Sequence, residues 1–126
     1  MGEDAGEEED DGPPFAFEVE SVEDCGETCR EVNVALGNLM EEDAENVVVH
    51  TWIYAGETTD RDAVVWADSR DVGTLEAGEV LRSTDEVDLS VQQANNVRDA
   101  DGVVTIETTV ESPQATVTFV NQDNVM

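Results

Sequence analysis

Two cysteines, one histidine and scattered carboxylates are the side chains here that could do chemistry. Cys25 and Cys29 flank Gly26-Glu27-Thr28. Across a hairpin with a three-residue loop, the two would lie opposite each other at a Cα separation that suits a disulfide. Two reduced thiols are the alternative. The pair fills only half of a tetrahedral metal site, and the single His is far off in sequence. The spacing of three is not that of a redox C-x-x-C motif. Asp24 stands where a lipid-attachment motif needs a small residue.

His50, Trp52 and Tyr54 share one side of an alternating run, opposite Val49, Thr51 and Ile53. Facing water, they would form a sparse aromatic platform of the kind used for sugars or protein partners. Under a neighbouring loop they would be packing. A Ser-His-Asp triad at His50 is formally allowed, but no nucleophile motif lies near it. A blue-copper site needs two His, a Cys and an axial ligand, and a single His excludes its usual form. Carboxylate pairs for glycoside hydrolysis arise by chance among 32 acids, and a chain this small has little room for a cleft. Asp99-Ala100-Asp101-Gly102 has the form of a calcium loop's opening, and Glu41-Glu42-Asp43 is similarly oxygen-rich. Neither has the spacing of a complete EF-hand. Calcium at Asp99 and Asp101 is therefore the one cofactor that the residues suggest, and general cation condensation competes with it.

These side chains must be positioned by strands. Phe15, Phe17 and Val19 alternate with small or polar residues, as do Val32, Val34 and Leu36, and Val47, Val49, Thr51 and Ile53. Further runs cover Ala63–Ala67, Val80–Leu89, Val103–Val110 and Thr116–Val120. Val supplies 20 residues and Thr 11, the β-branched enrichment of strands. Breaks fall at Gly37-Asn38, Ala55–Asp62, Gly73–Gly78, Asp99–Gly102 and Ser112-Pro113. Seven short strands in roughly 105 residues predict an all-β, antiparallel sandwich. Trp66 alternates with Val64 and is expected in the core. Ser90-Val91-Gln92-Gln93 has capping-box form and predicts one short helix, with Val91, Ala94 and Val97 on one side.

The 126 residues hold 32 Asp or Glu against five basic residues, all Arg, for a net charge of -27. Residues 1–12 carry seven of the acids and precede Pro13-Pro14, so residues 1–14 read as an acidic disordered tail and 15–122 as the domain. The tail has neither the basic nor the apolar region of a signal peptide. The remaining 25 acids cover the domain itself. Self-repulsion at that density opposes compaction in dilute salt and is largely screened near 1 M, where the Debye length is about 3 Å. The composition therefore predicts a protein of a halophilic organism. The same charge argues against nucleic acid or anionic membrane as a partner. No apolar run of about 18 residues is present to insert into a membrane.

Several segments together give a family resemblance. A strand over Glu31–Leu36 runs into the turn at Gly37-Asn38. "DAENVVV" (Asp43–Val49) starts the next strand, and "VGTLEAGEV" (Val72–Val80) places a leucine and a Gly-Glu turn before a long strand. In their order and spacing these resemble CARDB-like immunoglobulin-fold domains of archaeal and bacterial surface proteins, over roughly residues 15–120. Leu39-Met40 departs from the family's polar turn. The resemblance implies an immunoglobulin-like sandwich with no catalytic residues, acting as a structural or adhesion module on the cell surface or secreted, with an unknown protein or surface polymer as partner. A ligand-binding module using the aromatic strand face and a cytoplasmic interaction domain are the competing readings. The physics of these segments agrees: Gly78 can take φ > 0 in the turn that opens the long strand, and Leu75 is expected to drop into the core between the sheets from a loop without a strand partner.

Overall fold

The computed structural model describes residues 13–125; residues 1–12, which hold most of the expected acidic tail, lie outside the described residues. Seven strands follow one another along the chain: β1 (Phe15–Gly26), β2 (Cys29–Asn38), β3 (Ala44–Ala55), β4 (Val64–Leu75), β5 (Val80–Asp88), β6 (Val103–Glu111) and β7 (Thr116–Asn124). They form two antiparallel sheets, one ordered β1-β2-β5 and the other β4-β3-β6-β7. The predicted β-sandwich is therefore the architecture. The strands outrun the alternating segments that revealed them, and β7 continues past residue 122. Val125 then donates its backbone N–H to Gly102 at 2.9 Å and packs against the core.

Inward-facing residues of the two sheets meet in two clusters. Val32, Val34, Ile53, Val65, Val87, Val104 and Ile106 gather toward one end, together with Val97 of the helix. Phe15, Leu36, Ala44, Val47, Leu75 and Val110 gather toward the other. A β-bulge at Ile53/Tyr54 leaves Val65 unpaired on β4, and this residue is buried. Trp66, next to it, pairs with Ile53 and packs partly buried against the first cluster, on the expected side.

Helix α1 (Val91–Asp99) has the predicted capping box. The Ser90 hydroxyl accepts from the Gln93 backbone N–H, and the Gln93 amide oxygen accepts from the Ser90 N–H. Of the three apolar residues expected on its inner side, Val97 is buried, whereas Val91 is 73% exposed. Nine residues make only two and a half turns, and the first, Val91, borders a surface groove rather than the core.

Leu75 is buried, as anticipated, but it is the last residue of β4 and pairs with Ala44. The strand reaches it by passing through Gly73 at φ +82°, a conformation that other residues rarely take. Gly78 has φ +79° in the turn that opens β5. The turn placed at Gly37-Asn38 instead follows β2, with Leu39 exposed and Met40 packed on the second core cluster. Asn38 is buried and ties this end together. Its amide nitrogen donates to the carbonyls of Glu42 and Leu75, and its amide oxygen accepts from the Met40 N–H.

Candidate functional site

The β1–β2 hairpin carries the two cysteines at its tip. Cys25 and Cys29 are joined by a disulfide with their Cα atoms 5.1 Å apart. The hairpin differs from the one expected. Gly26 pairs with Cys29 across a two-residue turn, Glu27-Thr28, and Cys25 sits in the bulge between Asp24 and Gly26. The bridge is thus offset by one residue. One Glu86 carboxylate oxygen lies 3.6 Å from the Cys29 sulfur. This is a contact rather than a hydrogen bond, because a disulfide sulfur carries no proton. Cys25, Cys29 and Glu86 are the group of potential metal ligands gathered among the described residues, but both sulfurs are committed to each other.

On the outer face of the four-stranded sheet, β3 presents His50, Trp52 and Tyr54, as the alternation predicted. The His50 and Trp52 rings stack with centroids 6.0 Å apart. The segment after β3 then folds back, through a 3-10 turn at Arg61–Ala63 capped by Asp60. It brings the Arg61 guanidinium 4.2 Å above the Trp52 ring and 5.7 Å from that of Tyr54. The same guanidinium pairs with Glu107 at 2.9 Å, and the Tyr54 hydroxyl donates to that carboxylate at 2.5 Å. Tyr54 is fully buried and is not part of an open platform. What remains is a half-buried His50 beside a half-buried Trp52 that lies beneath an arginine lid. Arg61 and Glu107 carried no sequence signal, since Arg61 depends on a loop folding back over the sheet and Glu107 on the β3–β6 register that sets it opposite Trp52.

His50 also meets the two partners that a triad would need. Its Nδ1 is 2.8 Å from Ser69 Oγ and its Nε2 is 3.2 Å from Glu111 Oε1. The contacts are those of a triad; the surroundings are not. Ser69 is directly opposite His50 on β4, and Glu111 reaches it from β6, so all three stand on a sheet face. Glu111 is 53% exposed, which leaves its charge in high dielectric. The trio is a cross-strand polar ladder.

The acidic loops do not assemble. Asp99 and Asp101 are exposed, and among the described residues neither belongs to a group of three potential ligands. Asp101 takes φ +61° to end α1, and its backbone N–H donates to Arg98. Asp43 accepts from the Ala77 N–H and so fixes a turn. A further carboxylate, which sequence reasoning missed, lies between the sheets. Asp85 of β5 pairs with Arg70 of β4 at 2.5 Å. Burial raises its carboxyl above the ordinary value of 3.8; the Arg70 charge opposes the rise and the nearby Asp68 adds to it.

The fold has counterparts of low sequence identity. A DUF3823 family protein from Bacteroides ovatus superposes with a TM-score of 0.57 at 11% identity, covering 90% of this chain and 57% of that one. The chain thus spans little more than half the length of that protein. A protein from Archaeoglobus fulgidus gives a TM-score of 0.45 at 14% identity, with 86% and 91% covered. A GH3 β-glucosidase from Bifidobacterium adolescentis gives 0.47 at 18% identity over 87% of this chain and only 17% of the enzyme. No curated protein sequence matches. The model of the archaeal immunoglobulin-like domain matches residues 16–125. With two antiparallel sheets of three and four strands and this match across nearly the whole sandwich, the chain belongs to the archaeal immunoglobulin-like domain family.

Proposed function

We propose that this domain is a non-catalytic structural or adhesion module of a halophilic cell-surface or secreted protein. The observation that carries the reading is the Cys25–Cys29 bridge at an exposed hairpin tip, because disulfides persist in oxidising surroundings and are rare in reducing ones. Membership of an immunoglobulin-like family supports a binding or spacing role. The Ser69–His50–Glu111 ladder, lying on an open sheet face, supports no reaction. The acid cover, with 25 carboxylates in residues 13–126, supports work at molar salt. The partner is a protein or a cell-surface polymer.

The test is the intact mass of the protein from its own cells, with and without reduction before alkylation. A mass that takes up two alkyl groups only after reduction supports an exterior location. Two thiols alkylated without reduction would make it a cytoplasmic interaction domain instead.

A second reading has its own observation. Arg61 covers Trp52 through a stack and one ion pair, a lid that a sugar ring could displace. Quenching of Trp fluorescence by an oligosaccharide panel would support it, and unchanged spectra across the panel would remove it.

A further inference from the structure

Helix α1 crosses one open end of the sandwich, and the core beneath it is not filled. A cavity of about 70 Å³ remains there, walled by Val32, Ile53, Val87, Val97, Val104 and Ile106. At about 10–15 Å³ for each water-sized probe, it has room for roughly five or six small groups. Such a void forfeits dispersion contacts and weakens the fold. Its opening lies between the hairpin tip and the helix, past Glu27, Thr28, Ala94 and Arg98. The same four residues border a shallow surface groove whose rim includes the exposed Val91.

The charge at this opening is unlike that of the rest of the surface. Four of the five arginines have a carboxylate within 4.0 Å: Arg30 with Asp24, Arg61 with Glu107, Arg70 with Asp85 and Arg82 with Glu20. Arg98 has none among the described residues, although the chain holds 32 acids; its side chain donates to the neutral Asn95 amide at 3.0 Å. Its place in the last turn of α1 suits the helix dipole, and its guanidinium fork spends one N–H on Asn95 and faces no carboxylate among the described residues. An apolar cavity, an exposed apolar rim and a cation with no ion-pair partner among the described residues therefore meet at one mouth.

We infer that this end of the sandwich binds a small anionic amphiphile. An apolar tail of about five carbons occupies the cavity, and a carboxylate or phosphate head lies in the groove against Arg98. Glu27 on the opposite rim weakens the anion's hold and keeps the affinity modest. The contact works at molar salt, because a head group at hydrogen-bonding distance lies inside the roughly 3 Å Debye length.

The test is an NMR titration of the full chain in molar KCl with hexanoate, hexyl phosphate and hexanol. Saturable amide shifts at Thr28, Ala94 and Val97 are expected, with at least one of the anions binding at least fivefold more tightly than the alcohol. Arg98→Gln should reduce the anion's affinity to that of hexanol and leave hexanol unchanged. Glu27→Gln should tighten the anion alone. Whichever anion binds more tightly identifies the head group. Ala94→Phe, which fills the cavity from the helix, should abolish all three; if that variant does not fold, the Arg98 comparison stands without it. Two results overturn the inference: no saturable shift at those residues with any probe, or equal affinities that Arg98→Gln does not change.

Discussion

Thr108 shows how a single atom can set a local cost. It lies at the centre of the inward face of β6, fully buried, and its hydroxyl has no hydrogen-bond partner among the described residues. An unpaired buried hydroxyl costs about 1–3 kcal/mol. Thr108→Val keeps the shape and removes the polar atom, so it should stabilise the domain by about 1 kcal/mol. A rise in the urea midpoint at unchanged slope would show this, and a fall would mean that the hydroxyl is satisfied. Asn38 is the opposite case, a buried amide with both ends used, by Glu42 and Leu75 as acceptors and Met40 as donor. In the sequence it reads only as half of a Gly-Asn turn signal. Its actual role needs loop residues 39–43 and strand β4 to converge on it, and no local pattern encodes that convergence.

Among the elements, the β1–β2 hairpin and the β4–β5 seam carry the predictions. The bridge between Cys25 and Cys29 closes a loop of five residues, worth about 2 kcal/mol in the chain-entropy model. Cys25→Ser with Cys29→Ser should lower stability by about that amount and leave the far-ultraviolet spectrum unchanged. Equal stability with and without the bridge would show that the bulged hairpin holds its own geometry. At the seam, Asp85 and Arg70 join the edges of the two sheets. Because burial raises the Asp85 pKa, the folded state holds that proton more tightly than the unfolded chain does. The group's contribution is therefore fully present below the ordinary value of 3.8 and is lost as pH rises through the raised folded value. Asp85→Asn does not titrate, and its amide oxygen can still accept from Arg70. Its stability relative to the parent should accordingly increase as pH rises from 3.5 toward 7. Denaturant midpoints of both proteins across that range check the sign; a relative loss with rising pH would show that the Arg70 charge outweighs burial.

For the whole molecule the governing quantity is a net charge of -27 on 126 residues. Four of the five arginines are spent on ion pairs, and two of these connect elements distant in sequence, Arg61 with Glu107 and Arg82 with Glu20. The remaining carboxylates repel one another across the whole surface. Lowering salt from molar to about 0.1 M lengthens the Debye length from roughly 3 to 10 Å. The melting temperature should fall steeply over that range. A melting temperature independent of salt would remove the argument for a halophilic origin, while leaving the fold and the disulfide as they are.

Alternation and β-branched composition determined the strands, because a two-residue period with one face apolar is the pattern of a half-buried strand, and with one short α-helix among the described residues a second sheet must cover that face. The capping box determined where α1 begins, because Ser90 and Gln93 satisfy each other's backbone within four residues. Two cysteines four residues apart made a bridged hairpin readable before its bulge was visible. All of these signals are local. The tertiary structure alone decided that Arg61 closes over Trp52 and buries Tyr54, and that Ser69 and Glu111 flank His50. It alone set Asp85 against Arg70 between the sheets and left Arg98, among the described residues, without an acid above an unfilled cavity. The contacts of Arg61, His50 and Asp85 join residues 7–61 positions apart through sheet register or a folded-back loop. Register is set by the sum of the core packing, which no short stretch of sequence contains.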